Sequence, residues 1–256
     1  MGLSKKNISL IKSLDIKKYR DKHNMFIAEG AKIVNDMLNA NLPLNHIFAG
    51  EAYAKHIVLQ YPNIEDKLIL CTDNEIKKIS RLNSPPEVIA LAYKQESLID
   101  IESLKSELCV SLDCVQDPGN FGTIIRLCNW FGIKNIMCSK NSVDLYNPKV
   151  VQASMGGFIG VNVHYVDLPN FIEDYKTKTA NPVYGTFMQG NDISQINKNL
   201  QSLIVFGNEG KGIGKDIEEL IDIKITIPAI SNQNYHVESL NISTAASVVV
   251  SAFKLG

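Results

Sequence analysis

The chain of 256 residues has no uninterrupted apolar run of membrane length and no charged-then-apolar leader. A bilayer-spanning helix needs about 20 apolar residues, so neither a membrane span nor a signal peptide is expected. No pair of its five cysteines has CxxC spacing, and four of them sit in apolar runs. That pattern excludes a zinc knuckle and predicts buried, reduced thiols in a cytoplasmic protein, with no metal. GxGxxG is absent, which argues against a dinucleotide-binding fingerprint, and Lys211 precedes Gly212 rather than Ser or Thr, which excludes an ATPase-type phosphate loop. Apolar residues make up 45% and charged residues 21%, the balance of an ordinary soluble globular chain with room for one large or two small domains.

A net charge of −1 conceals an uneven distribution. Residues 1–94 carry 14 Lys and Arg against 10 Asp and Glu, whereas residues 95–256 carry 12 against 17. Seven bases against two acids fall within residues 1–22, and such a run is either a solvated helix face or a nucleic-acid contact. Arg20 and Lys22 are the first-half candidates for such a nucleic-acid contact.

The pattern divides the chain into a small α/β unit at 1–94, a polar linker or short connecting helix at 95–107, and a larger unit at 108–256. In the first, Glu29–Ala40 has helical period, and strands are expected at His46–Ala49, Lys67–Cys71 and Val88–Tyr93. In the second, apolar strands at Leu108–Val115, Asn135–Ser139, Val161–Val166, Pro182–Met188, Ser202–Asn208 and Lys224–Ile227 alternate with helical segments. Such alternation predicts a largely parallel sheet covered by helices on both faces.

Three of these strands run into loops rich in Gly, Asn and Ser. The first is DPGNFGTIIR, in which Asn120 stands between glycines and Arg126 follows where a helix is expected to begin. The second is IVFGNEGKGIG (Ile204–Gly214), with Glu209 among four glycines, and the third is IPAISNQNYHVESLNISTAA (Ile227–Ala246). The ends of parallel strands are where α/β proteins bind ligands, and an amide beside a cation suits phosphate and hydroxyl groups.

Together, LDCVQDPGNFGTIIR, IVFGNEGKGIG and IPAI…ESLNIS resemble the three signature motifs of the SpoU family of RNA 2′-O-ribose methyltransferases, part of the SPOUT superfamily. KYRDKHNMFIAEGAKIV (Lys18–Val34) and SPPEVIALA (Ser84–Ala92) resemble that family's L30e-like, ribosomal-protein-like substrate-binding domain. The resemblance implies a deep trefoil knot in the C-terminal domain, a homodimer joined through the knot region, and S-adenosylmethionine as the methyl donor. It implies donor contacts from Gly207, Ile227 and Leu240, with Thr186, Asn208 and Gly210 beside them. It implies catalytic roles for Asn120, Arg126, Glu209, Ser239 and Asn241, with Arg126 also at an RNA phosphate. The substrate would be structured RNA, ribosomal RNA in preference to tRNA. A non-catalytic RNA-binding or ribosome-assembly protein on the same fold is the alternative.

Family proposals cast the motif-one arginine as a general base. A guanidinium holds its proton, so positioning and charge stabilisation suit Arg126 better. Each residue also has a plainer reading. Asn120 fits a turn of positive φ, Arg126 a surface ion pair, Glu209 a helix cap, and Ser239 or Asn241 the N-cap of the last helix. His164 and His236 lie off the motifs and read as core or surface histidines, and Trp130 and Phe131 as core. The segment between Pro228 and Glu238 is longer than the family pattern, which leaves its donor contacts open.

Overall fold

A computed structural model describes residues 2–230 and 238–256. In chain order its helices and strands are α1 (Lys5–Ser13), α2 (Lys17–His23), β1 (Met25–Glu29), α3 (Ala31–Asn39), β2 (Leu44–Ala49), α4 (Glu51–Gln60), β3 (Leu68–Leu70), α5 (Asp73–Ile79) and β4 (Val88–Tyr93). Then follow β5 (Leu108–Leu112), α6 (Pro118–Trp130), β6 (Asn135–Ser139), α7 (Pro148–Ser154), β7 (Asn162–Val166), α8 (Leu168–Thr179), β8 (Val183–Asp192), β9 (Ser202–Phe206), α9 (Lys215–Glu218), β10 (Ile223–Thr226) and α10 (Ile242–Leu255).

The chain forms two compact units. The first comprises Met1–Glu96 together with Asp144–Ile159, and the second the remainder. The division expected at 94 and 107 therefore differs from the one found, on two counts. Residues 144–159, expected in the larger unit, belong to the first. The segment read as a linker belongs largely to the second, where Leu104 is buried among Phe171, Ile172 and Tyr175.

In the first unit four strands form a sheet in the order β1-β4-β2-β3. β4 (VIALAY) is apolar throughout and sits centrally, antiparallel to both neighbours, as a strand buried on both faces must be. Strand β1 was not expected. Glu29, read as a helix start, ends this strand, and Gly30 at φ +102° turns the chain into α3. Glu29 is buried there and accepts hydrogen bonds from Ser80 Oγ (2.6 Å) and Arg81 N (3.1 Å).

The excursion 144–159 packs on β1. Phe26 lies 4.6 Å from the Tyr146 ring and 5.7 Å from Phe158, and the Tyr146 hydroxyl accepts from Gln95 N and donates to Gln95 O. At its root, Asp144 meets Arg20. The Arg20 side chain is 2% exposed, its Nε and Nη2 donate to Asp144 Oδ2 at 2.9 and 2.7 Å, and its Nη1 donates to the Leu14 and Asp15 carbonyls. The expectation that Arg20 touches RNA is thus corrected: every face of its guanidinium fork is spent inside the fold. Lys22 is exposed.

The second unit holds six parallel strands in the order β10-β8-β9-β5-β6-β7. The central β5 (LCVSL) and β9 (SLIVF) are wholly buried, as continuous apolar runs in a covered parallel sheet should be. The chain leaves β5 for β6 on one side and returns to β9 on the other, so the strand order reverses at β5, the position where such sheets open a ligand crevice. β8 pairs with β10 at Gly185↔Lys224 and again at Asn191↔Ile225, so residues 186–190 leave the ladder between these points. α8 packs over Leu203 and Val205, and α6 packs with α10. The expected knot concerns the path from β10 to α10, of which residues 231–237 lie outside the described residues.

Candidate active site

The first loop is helical earlier than its composition implied. Asp117 caps α6, its Oδ1 accepting from Asn120 N at 2.7 Å, with Pro118 at the first helical position. Asn120 therefore stands in the first helical turn, not in a left-handed turn, and Arg126 stands well inside the helix instead of at its start. What brings Asn120 to the site is the N-terminus of α6 at the end of β5.

The second loop is fixed by its own backbone and by the end of β5. Asn208 and Gly212 exchange backbone hydrogen bonds at 2.9 Å in both directions, closing a tight hairpin with Glu209, Gly210 and Lys211 at its tip. A Cβ on Gly207 would fall 2.2 Å from the Gly212 carbonyl carbon, so the approach needs glycine. Asn208 Oδ1 accepts from Gly210 N and Lys211 N while its Nδ2 donates to the Cys114 carbonyl at 2.8 Å. Its side chain thus organises the loop, with one Nδ2 hydrogen left uncommitted among these bonds. Asp113, 6% exposed, accepts from Gly214 N at 2.9 Å. Sequence reasoning missed this aspartate; its signal was a carboxylate directly after a strand that is otherwise apolar.

The third loop ends at α10, whose N-cap is Asn241, with Oδ1 accepting from Ser243 N at 2.9 Å. The capping reading of Asn241 is realised, and its Nδ2 is left to donate to Asn120 Oδ1 at 3.0 Å. Asn120 Nδ2 in turn donates to Glu209 Oε1 at 2.9 Å. One residue from each loop, separated by 89 and 121 positions from Asn120, thereby joins a single hydrogen-bonded chain. Glu209 caps no helix; the N-cap of α9 is Gly214.

Beside this chain lies a cavity of about 990 Å³. It is lined by all six expected donor-contact residues, Thr186, Gly207, Asn208, Gly210, Ile227 and Leu240, and by Glu209 and Ser239. Phe206, Ile225, Ile242, Ala245 and Val249 give it an apolar wall. The volume falls at the upper end of the roughly 300–1,000 Å³ usual for small-molecule sites. Thr186 Oγ1 donates to the Val205 carbonyl at 3.2 Å, so this hydroxyl braces the departure from the β8 ladder.

Arg126 is not brought to this cavity. It is exposed on α6, and no acidic group among the described residues pairs with it. Trp130, expected in the core, is 84% exposed, because it shares the solvent arc of α6 with Thr123 and Arg126, away from Ile124, Ile125 and Cys128. His164 is a core residue. Its Nε2 lies 3.0 Å from Asn135 Oδ1, and burial holds its pKa below the ordinary value of 6.5. His236 lies outside the described residues. Cys114 adjoins the second loop, but burial pushes its thiol up and away from thiolate chemistry. Among the described residues no group of three or more His, Cys, Asp or Glu could hold a metal, and no helix is long and apolar enough to cross a membrane.

Comparison with known proteins adds to this geometry. Residues 107–251 match the SpoU rRNA methylase family, and residues 5–90 match the MRM3-like substrate-binding domain. The chain is 25% identical to the 23S rRNA (guanosine(2553)-2′-O)-methyltransferase RlmP of Bacillus subtilis, over 93% of this chain and 92% of that protein. It is 26% identical to a 23S rRNA (uridine(2479)-2′-O)-methyltransferase of Streptomyces viridochromogenes, over 65% of this chain and 59% of that one. Among solved structures, a TrmH-family RNA methyltransferase structure from Porphyromonas gingivalis superimposes with a TM-score of 0.84 at 30% identity, covering 99% of each chain. An AdoMet-bound rRNA methyltransferase from Sinorhizobium meliloti shares the fold, with a TM-score of 0.84 at 24% identity over 98% of this chain and 95% of that one.

Proposed function

Because this chain belongs to the SpoU rRNA methylase family, we infer that it transfers a methyl group from S-adenosylmethionine to a ribose 2′-hydroxyl of ribosomal RNA. The observation that carries the reading is the Asn241–Asn120–Glu209 chain of hydrogen bonds, three motifs meeting beside a cavity of donor size. The RlmP of B. subtilis, similar along nearly its whole length, is named for this reaction on 23S rRNA.

The cavity fits the donor chemically. Its apolar wall suits an aromatic base, and the glycines of the second loop allow close approach of a ligand to the backbone. When bound, the donor supplies a methyl group already activated on a sulfonium, so the protein's task is chiefly alignment. The Asn120 side chain is held from both sides, by the Glu209 carboxylate and the Asn241 amide, and this fixes which of its faces meets the acceptor. Glu209 keeps Oε2 free of Asn120 and is the carboxylate available to hold the acceptor hydroxyl or its proton. Ser239 lines the same cavity and supplies a further hydroxyl. Arg126 serves as a charged fork for the phosphate next to the target sugar.

In this reading the protein is a cytoplasmic homodimer. The exposed arcs of α6 and α10, with Trp130, Val248 and Leu255 exposed on them, form the joining surface. The subunit boundary then passes close to Arg126. The first unit selects the RNA, with Lys22 and the other exposed lysines of α1 and α2 at phosphates.

The test is tritiated methyl transfer from S-adenosylmethionine to rRNA from a strain lacking the gene, followed by alkaline hydrolysis. A ribose methyl leaves an alkali-resistant dinucleotide. Label that stays in mononucleotides contradicts the reading.

A further inference from the structure

The cavity lining contains one cation, among the described residues, that neither the methyl transfer nor the loop's architecture accounts for. Three charged residues line it: Glu209, Glu238 and Lys211. Glu209 is engaged with Asn120. Lys211 is the only cation in the described lining. A methyl donor with a sulfonium and an ammonium carries a net positive charge, so a lysine on the same wall opposes it unless the lysine meets an anion. No acidic group among the described residues lies within ion-pair distance of Lys211, whereas Lys176 and Lys224 of the same unit are paired with Asp222 and Glu218.

Its mounting is rigid. The Lys211 amide donates to Asn208 Oδ1 at 3.1 Å, and Gly212, at φ +70°, closes the hairpin onto Asn208. The side chain therefore leaves a fixed point on the cavity rim while its ammonium stays exposed.

We propose that Lys211 is the anion-pairing residue of this site, holding an anionic oxygen of the bound substrates. The inference rests on the methyltransferase reading and adds a residue to it. Both substrates carry such an oxygen: the donor in its amino-acid carboxylate, the RNA in its phosphates.

The experiment uses the full chain and the variants Lys211→Met, which keeps the stem and removes the charge, and Lys211→Arg, which keeps the charge. Calorimetry measures S-adenosylhomocysteine, which has the carboxylate, and 5′-methylthioadenosine, which lacks it. Filter binding measures in-vitro-transcribed large-subunit rRNA across a salt series. If the partner is the donor, Lys211→Met weakens S-adenosylhomocysteine about tenfold, leaves 5′-methylthioadenosine unchanged, and Lys211→Arg restores binding. If it is RNA, both nucleosides bind as in wild type, while rRNA binding weakens and its salt slope falls by about 1. Unchanged binding of all three probes by Lys211→Met overturns the proposal and leaves the methyltransferase reading standing. Wild-type protein that binds no S-adenosylhomocysteine overturns both.

Discussion

Removing the carboxylate of Asp144 is expected to destabilise the first unit severely. Arg20 is 2% exposed and Asp144 10%, and two of the four guanidinium hydrogen bonds end on Asp144 Oδ2. Asp144→Ala leaves a buried guanidinium without its counter-charge, which costs about 3–5 kcal/mol when a buried pair loses one partner. For a chain of this size each kcal/mol moves the melting midpoint by about 2–4 °C, so a fall of roughly 10 °C is expected. Replacing both partners by apolar residues, Arg20→Met with Asp144→Leu, is expected to recover much of this, because no charge remains buried. Urea unfolding of wild type, Arg20→Met, Asp144→Leu and the double variant closes the cycle. A loss below about 1 kcal/mol for Asp144→Ala would mean the pair is solvated and would reopen Arg20 as an RNA contact. The same pair limits what truncation can show. A fragment ending near residue 96 lacks Asp144, Tyr146 and Phe158 and is expected not to fold, while deleting residues 1–94 uncovers the apolar face of α7.

Other substitutions probe the site and the core. Asn120→Ala cuts both hydrogen bonds of the chain and should lower single-turnover methyl transfer about a hundredfold, with S-adenosylhomocysteine affinity by calorimetry within about threefold of wild type. Asp113→Ala leaves the Gly214 amide unpaired next to the second loop. It should cost about 1–3 kcal/mol in urea unfolding and weaken donor binding, which a merely peripheral aspartate would not. Gly207→Ala, with its Cβ directed at the Gly212 carbonyl carbon, should abolish donor binding while far-UV circular dichroism is retained. His164 is buried with a pKa below 6.5, so the unfolded chain takes up its proton first on acidification. Its contribution to stability is flat at high pH and turns unfavourable as pH falls through about 6.5; His164→Gln should remove that portion of the acid-side decline.

Much of the architecture is readable from local pattern. β4 and β6 have the bounds that their apolar runs predict, and all six strands of the second unit occur where runs of Val, Ile and Leu meet turn residues. What local pattern misses depends on distant partners. β1 is five residues long and becomes a strand by pairing Ile27 with Leu91, far along the chain. Arg20 reads as one of a series of basic residues because the aspartate that buries it lies 124 positions away. Trp130 reads as core by residue type, yet the helix phase carries it to the solvent arc. The start of α6 at Pro118 carries a local signal, Asp before Pro, which the turn-forming residues that follow it obscure. For the site, spacing offered only three polar loops at strand ends. The resemblance to a known family singled out Asn120, Glu209 and Asn241, and folding brings those three within hydrogen-bond reach.

The central claim is that these three loops align a methyl donor with a ribose hydroxyl of ribosomal RNA. Site-by-site mapping of ribose methylation across total RNA, from cells with and without the gene, tests it most directly. The account predicts loss of 2′-O-methylation at one or a few positions of ribosomal RNA, restored by the wild-type gene but not by Asn120→Ala. An unchanged ribosomal map, or a lost methyl on a base, would contradict it.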